Sequence, residues 1–277
     1  MFDRKILKER AKITLSRSYF IILIACVIVN ITSSVCMGVL SGKVRKVQFM
    51  DMTSIPYYRI MAILAVISLM ALIVIALSIF VIYPLQVGLK YFMLQNEIGD
   101  SRLDNLLFPF RTSYKNITFA MFMKNLIIFL WSLFSIIPII IGMWKFGLAD
   151  KLVILTTKMN MDTASIRQIL SVSGSMFVLT LFILLFSVPA IIKQLQYSMT
   201  EYILADDPDL EWRTAMEKSK EMMVGNKCAY VKLIISFLPW YIAANLFCCI
   251  GSTLLMPYIE STLAQLYLEL SGRNMNI

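Results

Sequence analysis

Residues 60–89, IMAILAVISLMALIVIALSIFVIYPLQVGL, form an uninterrupted apolar stretch of 30 residues between Arg59 and Lys90. A helix needs about 20 apolar residues to cross the hydrocarbon core of a bilayer, so this stretch is long enough to span a membrane. It lacks the alternation of apolar and polar residues that a half-buried strand shows. The stretch therefore predicts a transmembrane helix.

Four more uncharged stretches follow the same pattern, at residues 18–42, 125–144, 168–192 and 233–259. Of the 277 residues, 59% are hydrophobic and 16% are charged, whereas soluble domains carry about 25% charged residues. We therefore predict an all-α fold, a polytopic transmembrane helical bundle in one membrane domain over residues 1–277.

The net charge of +9 comes from basic residues at the ends of apolar stretches. Anionic lipid head groups account for it, and no nucleic-acid partner is predicted.

The last apolar region, residues 230–270, is too long for one span and contains Lys232, Glu260 and Glu269. Gly251-Ser252 is the predicted break, because glycine relaxes the backbone. An alternative has one span followed by an interfacial helix from Pro257. The first interpretation predicts six spans, at residues 18–41, 60–89, 120–144, 168–192, 231–249 and 252–270.

Orientation follows from the basic residues. With the N-terminus in the cytoplasm, the cytoplasmic segments hold 18 Lys and Arg and the outer loops hold 8. The positive-inside rule favours this arrangement, so we predict a multi-pass protein of the plasma membrane with a cytoplasmic N-terminus. The first span is too long for a cleaved signal peptide and is interpreted as a retained anchor.

Two amphipathic helices are predicted on the cytoplasmic side, at residues 3–16 and 209–224. The acidic run 206–209, which includes Asp207 and Pro208, is typical of a helix start. Trp212 opens an apolar face at helical spacing, and it is followed by Ala215, Met216, Ser219, Met222 and Met223. This face either packs against the chain's own spans and lipid or binds a partner helix.

A threefold repeat is a further hypothesis. Each unit would contain a basic start, a span, an outer connection, a proline-containing span and a tyrosine-bearing exit helix. The prolines are Pro84, Pro189 and Pro257, which would act as hinges because proline removes a backbone hydrogen bond. Alternatively, proline is simply tolerated in membrane helices.

Nothing in the sequence specifies a reaction. The chain has no histidine, which excludes catalytic triads and imidazole-based metal sites. The five cysteines are interpreted as packing residues. We predict no catalytic, cofactor-binding or metal-binding residue, no cofactor and no enzymatic activity. Acidic residues are almost absent at the depth of the spans. Glu260 is the exception, because the six-span interpretation places it in the membrane, where an ionisable group is a functional hypothesis. Alternatively, the last helix is interfacial and the Glu260 carboxylate is solvated.

The chain resembles an uncharacterised family of bacterial integral membrane proteins, domain of unknown function 975. The matching segments are residues 7–15, 130–138, 197–208, 219–227, 236–240 and 256–258. The best of them reads Tyr197-Ser198-Met199-Thr200-Glu201-Tyr202-Ile203-Leu204-Ala205-Asp206-Asp207-Pro208. The resemblance implies a bacterial plasma-membrane protein and implies no established activity.

The leading functional hypothesis is a non-enzymatic scaffold or partner-binding protein of the bacterial envelope. The alternative is a transporter, or a component of peptide export or immunity, with a polar site near Glu260. Expected partners are membrane lipids and either another membrane protein or a peptide, and the sequence does not fix the oligomeric state. The candidate functional or hinge residues are Glu260, Pro257, Tyr258, Pro189, Pro84, Trp212 and Asp207.

Overall fold

The computed structural model describes residues 2–48, 57–145, 163–247 and 251–273. Apart from turns and short connections, these residues are helical and contain no strand. The chain divides into two compact units, which are described separately: unit 1 comprises residues 1–123 and 198–277, and unit 2 comprises residues 124–197. The helices are α1 Arg4–Gln48, α2 Tyr57–Leu77, α3 Tyr83–Ile98, α4 Phe108–Arg111, α5 Tyr114–Ser132, α6 Ile136–Lys145, α7 Thr163–Gln196, α8 Thr200–Asp206, α9 Trp212–Met222, α10 Lys227–Ile235, α11 Leu238–Phe247 and α12 Gly251–Leu270.

Five helical stretches in the described residues are long and apolar enough to cross a membrane, which confirms the predicted class of fold. They are Arg4–Ser34, Met61–Ile98, Tyr114–Ile141, Met176–Asp206 and Lys227–Leu246. The sixth predicted span, residues 252–270, is not among them, so the number six is not confirmed. It corresponds to α12, whose glutamates and glutamine lower its apolar character and whose buried residues include Ser261, Thr262 and Gln265.

Helix α1 joins an amphipathic segment to an apolar one at Ser18, where the backbone leaves helical geometry with φ −137°. Before this kink, Leu7, Ala11 and Thr14 are buried on one face, as helical periodicity requires. The Lys8 ammonium donates a hydrogen bond of 2.7 Å to the Ser236 hydroxyl. The N-terminal segment thus lies against the bend between α10 and α11.

Pro84 lies at the start of α3, directly after a π-helical turn, Ser78–Ile82. Because proline has no N–H, it cannot donate to the carbonyl of Phe80 one turn earlier. The Tyr114 hydroxyl donates to that carbonyl at 2.7 Å instead. A side chain at the start of α5 therefore compensates for the proline in α3.

The C-terminal helices α11 and α12 form an antiparallel hairpin. Gly251 lies against Ala244, since an added Cβ at Gly251 would be 2.1 Å from the Ala244 carbonyl oxygen. Further along, the Phe237 and Tyr258 rings meet edge to face with their centres 5.4 Å apart. The sequence predicts a break at Gly251-Ser252, and in the structure α11 ends at Phe247 and α12 begins at Gly251.

Helix α9 begins at Trp212, later than the acidic run 206–209 suggests. Asp206 is instead the last residue of α8, and Asp207 caps the end of that helix with extended backbone. The predicted apolar face of α9 is turned inward: Ala215, Met216 and Ser219 are buried. The Trp212 ring meets the Phe119 ring edge to face, with their centres 6.3 Å apart.

Unit 2 contains the end of α5, α6 and α7. A 3-10 turn, Leu133–Ser135, precedes Pro138 in α6, where the proline ring would clash with a regular preceding turn. Pro189 lies inside α7 and Pro257 lies inside α12, whereas Pro84 follows a π-helical turn. Pro189 and Pro257 therefore share a local setting that Pro84 lacks, and the repeat stays a prediction.

The core of unit 1 is built on α12, which packs mainly against α1, and on α3, which packs against α8. Its large buried side chains include Leu7, Ile22, Phe92, Tyr202 and Leu204. In contrast, α7 of unit 2 exposes large apolar side chains such as Phe177, Leu181 and Leu185. Exposed apolar area of this kind is typical of helices that face lipid.

Candidate functional site

The candidate site is a buried charge cluster that joins three helices of unit 1: Lys90 from α3, Glu260 from α12 and Glu201 from α8. The Lys90 ammonium donates a hydrogen bond of 2.5 Å to one Glu260 oxygen. It lies 3.8 Å from a Glu201 oxygen. The three side chains are 11%, 14% and 18% exposed, respectively.

The sequence around Lys90 explains why the lysine needs these partners. Val87, Gly88, Leu89 and Lys90 are all buried in consecutive positions of α3, so the ammonium group is held away from bulk water. A buried charge is costly unless it is paired and hydrogen-bonded. The carboxylates of α12 and α8 supply that pairing and tie both helices to α3.

Aromatic rings and hydroxyl groups surround the cluster. The Lys90 ammonium lies 5.2 Å from the centre of the Tyr202 ring, within the range of a cation–π contact. Tyr202 in turn stacks on Tyr267, with ring centres 5.3 Å apart and planes at 16°. The hydroxyls of Tyr202 and Ser261 are buried without a hydrogen-bond partner among the residues that the structure describes.

The Lys90 ammonium has two carboxylates near it, at 2.5 Å and 3.8 Å, and Glu201 makes a further interaction besides. In surroundings of low dielectric, charged groups are stable only when they are paired and hydrogen-bonded. Carboxylates grouped in this way can hold a cationic or hydrogen-bond-donating group.

A second polar group, which we call the Glu97 site, lies at the C-terminal end of α3. One Glu97 carboxylate oxygen accepts hydrogen bonds from the Thr14 hydroxyl of α1 at 2.7 Å and from the Gln265 amide of α12 at 2.5 Å. Both donors are neutral, and Glu97 is only partly buried. The site connects the amphipathic part of α1 to the helices that hold the charge cluster.

Two cavities in unit 1 adjoin the helices that carry these polar groups. One of about 380 Å3 is lined by Val27, Asn30, Ile31, Ser34 and Thr253. The Asn30 amide lies against Met256, one turn of α12 before Glu260. The α1–α12 interface thus has a mostly apolar cavity beside Asn30 and a polar group at Glu97.

The second cavity, of about 410 Å3, is lined by residues that include Tyr91, Gln95, Asp206 and Arg273. Asp206 accepts hydrogen bonds from Arg273 at 2.5 Å and from the Tyr267 hydroxyl at 3.2 Å. The hydrogen bond to Asp206 and the negative charge of that carboxylate raise the pKa of the Arg273 guanidinium. This ion pair links the end of α8 to the segment that follows α12.

Of the candidate residues from the sequence, Glu260 is the one that enters the charge cluster. Pro257 lies one turn earlier in α12, and the adjacent Tyr258 packs on Phe237. The remaining candidates lie elsewhere in unit 1, in α3, directly after α8 and in α9, or in unit 2: Pro84, Asp207, Trp212 and Pro189.

The sequence interpretation missed Lys90, Glu201, Glu97 and Gln265. In the sequence, Lys90 ends an apolar stretch, a common position for membrane lysines. One signal could have found it: Lys90 and Glu97 are seven residues apart, which places them on nearly the same face of one helix. Glu201 has a comparable signal, because it directly precedes the buried run Tyr202–Ile203–Leu204.

The family model described as protein of unknown function (DUF975) matches residues 1–274. The chain belongs to this family. The match confirms the resemblance found in the sequence and covers all four helices that form the charge cluster and the Glu97 site. No curated protein and no solved structure matches this DUF975 chain.

Proposed function

We propose that this DUF975 protein is a non-enzymatic, multi-pass protein of the bacterial plasma membrane that transports a small cation or a peptide with a cationic group. The observation that carries the proposal is the buried Lys90 ammonium within reach of two carboxylates, Glu260 and Glu201. Ionisable residues inside membrane bundles commonly mark solute or ion pathways. Carboxylate groups attract a cationic solute and repel an anionic one.

The scaffold hypothesis has less support from the contacts. Its structural basis is the amphipathic helices, and the Met-rich face of α9 is the surface that could bind a partner helix. That face is covered within unit 1, where Met216 and Met223 are buried and Ser219 accepts a hydrogen bond of 3.2 Å from the Met199 amide. What α9 leaves exposed is its charged side, including Glu217 and Lys218.

The proposed topology places the N-terminus, Lys115 and Lys218 on the cytoplasmic side. The hydrogen bonds of Asn116, at the start of α5, to the carbonyls of Pro208 and Leu210 at 2.8 Å support placing Lys115 and Lys218 on the same side. The cytoplasmic assignment rests on the distribution of Lys and Arg. We expect K115C and K218C, each in a cysteine-free background, to react with a membrane-impermeant maleimide only after the inner face is exposed. Labelling of the two positions from opposite faces of intact spheroplasts would contradict this topology.

Transport is tested with purified full-length protein in liposomes and two cationic probes, ethidium and a fluorescent lysine-rich peptide. We expect the wild-type protein to accelerate the entry of at least one probe over empty liposomes. E260Q and E201Q are each expected to slow that entry by about tenfold, because each removes one of the charges that favour a cation.

Glu269→Gln is the matched control, since Glu269 lies on the same helix as Glu260 but outside the charge cluster. It should transport at the wild-type rate. The proposal is overturned if the wild-type protein accelerates neither probe, or if E260Q and E269Q transport equally well.

A further inference from the structure

We propose that the outward side of the N-terminal part of α1 binds the head groups of anionic phospholipids in the leaflet beside it. This lipid surface, as we call it, consists of six residues before the kink at Ser18: Lys5, Ile6, Arg10, Lys12, Ile13 and Arg17. Lipid binding here goes beyond the proposed transport, because it neither involves the Lys90 charge cluster nor requires that any solute is moved.

The inward side of the same segment is already occupied. Leu7, Ala11 and Thr14 are buried, and their spacing places them on one face of a helix. At the edge of this face, the Lys8 ammonium donates a hydrogen bond of 2.7 Å to the Ser236 hydroxyl. The inward side is thus used within unit 1, and another partner has only the outward side to bind.

The outward side exposes large apolar side chains. Ile6 is 45% exposed and Ile13 is 46% exposed, and their spacing of seven residues places them on nearly the same side of the helix. Exposed apolar side chains continue past the kink, with Phe20 at 77% and then Ile24 and Ile31. That later part of α1 is a span and must face hydrocarbon. The exposed side of the segment therefore continues into the part of the helix that faces lipid.

Basic side chains flank the two isoleucines. At 100° per residue, Arg10 and Arg17 project on one side of them, and Lys5 and Lys12 project on the other. Arg10 is half-buried and the other three are exposed. None of these four side chains forms an ion pair with another residue in the part of the chain that the structure describes.

The acidic residues nearby do not cancel this charge. Residues 3–17 contain six basic and two acidic residues. One of the acids, Asp3, accepts a hydrogen bond of 2.8 Å from the Lys5 backbone amide and so caps the first turn. The other acid is Glu9, and Glu97 of α3 interacts electrostatically with Arg17. Basic groups outnumber acidic ones even when Glu97 is counted.

The pattern fits an anionic leaflet. An apolar strip between basic side chains is typical of a helix in the plane of the membrane interface, where the apolar side chains enter the acyl boundary and the basic ones reach the head groups. Near an anionic surface, each Lys or Arg favours binding by roughly fivefold. A zwitterionic head group carries a cationic group as well as a phosphate, so its attraction to the same residues is weaker. Charge complementarity therefore selects anionic lipids.

The test uses the full-length protein in liposomes of equal parts phosphatidylcholine and phosphatidylglycerol. Ser16 is exposed and lies one turn after Lys12. S16C in a cysteine-free background therefore carries the fluorophore NBD without removing any residue of the lipid surface. Bromine atoms on acyl chains quench this fluorophore at short range, and they are placed either on the phosphatidylglycerol or on the phosphatidylcholine. The lipid composition is thus the same in both samples.

Brominated phosphatidylglycerol is expected to quench at least about twofold more than brominated phosphatidylcholine, because the basic residues enrich it beside the fluorophore. High salt should reduce the difference, since it screens the charges. The variant K5Q/R10Q/K12Q/R17Q should be quenched equally by both lipids. The matched control removes four exposed basic residues of other segments and should keep the preference: K115Q/R213Q/K218Q/K220Q.

Equal quenching by the two lipids without these glutamine substitutions would overturn the proposal, as would a preference that persists in K5Q/R10Q/K12Q/R17Q. Quenching by neither lipid would also overturn it and would indicate that water or a partner protein covers this side. If the glutamine variant does not fold, the salt dependence decides, because a preference that salt leaves unchanged contradicts charge-based binding. None of these outcomes depends on whether ethidium or the lysine-rich peptide crosses the membrane.

Discussion

Replacing Lys90 by methionine is expected to lower the free energy of unfolding by about 3–5 kcal/mol, because the change leaves the Glu260 carboxylate of a buried ion pair without its cation. Lys90 lies 2.5 Å from Glu260 and 3.8 Å from Glu201, and its side chain is 11% exposed. Thermal and denaturant unfolding of the purified protein in detergent, followed by circular dichroism, measures the loss.

The double variant K90M/E260Q makes this prediction specific. It removes the stronger partner together with the lysine and should recover part of the lost stability, which a double-mutant cycle quantifies. Lys218→Met is the matched control, because Lys218 is exposed on α9 and surface substitutions usually change stability by less than about 0.5 kcal/mol. Equal stability of K90M and K218M would show that the Lys90 pairs do not hold α3, α8 and α12 together.

Much of the fold could be predicted because it depends on local patterns. An uncharged stretch such as residues 60–89 must be accommodated in lipid whatever the rest of the chain does. The kink at Ser18 separates an amphipathic segment from an apolar one, and both periodicities are visible in the sequence. The break before α12 is visible for the same reason, since Gly251 allows an approach to Ala244 that a side chain would block.

The charge cluster could not be predicted in the same way, because its members are distant in sequence. Lys90 and Glu260 are 170 residues apart, and hydropathy alone counts Lys90 as the end of a span. Its partners also change the interpretation of α12. Glu260 and Gln265 are not polar interruptions of a lipid-facing span but hydrogen-bonding groups directed at α3.

The start of α9 shows how tertiary contacts override a local signal. The acids at 206–209 are typical of a helix N-terminus, yet Asp206 ends α8 and binds Arg273 and Tyr267. Asp209 contacts the Ser113 hydroxyl before α5. These acids connect segments of unit 1 that are far apart in sequence. Helix α9 begins further along the chain, at Trp212.

Replacing Gly88 by alanine is expected to destabilise the protein by about 1–3 kcal/mol, the usual cost of forcing extra volume into a packed core. An added Cβ would lie 2.0 Å from the Leu106 carbonyl oxygen and 3.2 Å from Pro109. Leu106 is part of a 3-10 turn, Leu103–Leu107, so the obstacle is backbone rather than a flexible side chain. Either α3 or this turn must move, and Lys90 lies two residues away in the same buried run.

Gly38→Ala is a control that we expect to leave stability unchanged or to raise it. Gly38 lies in α1, and a Cβ added there would meet nothing within 4 Å. Alanine is favoured over glycine inside a helix by about 1 kcal/mol, so G38A should unfold at the same or a higher temperature than the wild type. If G88A is as stable as G38A, the turn at Leu106 does not pack closely on α3. A destabilised G88A that also shows impaired probe transport would indicate that this packing positions Lys90 between its two carboxylates.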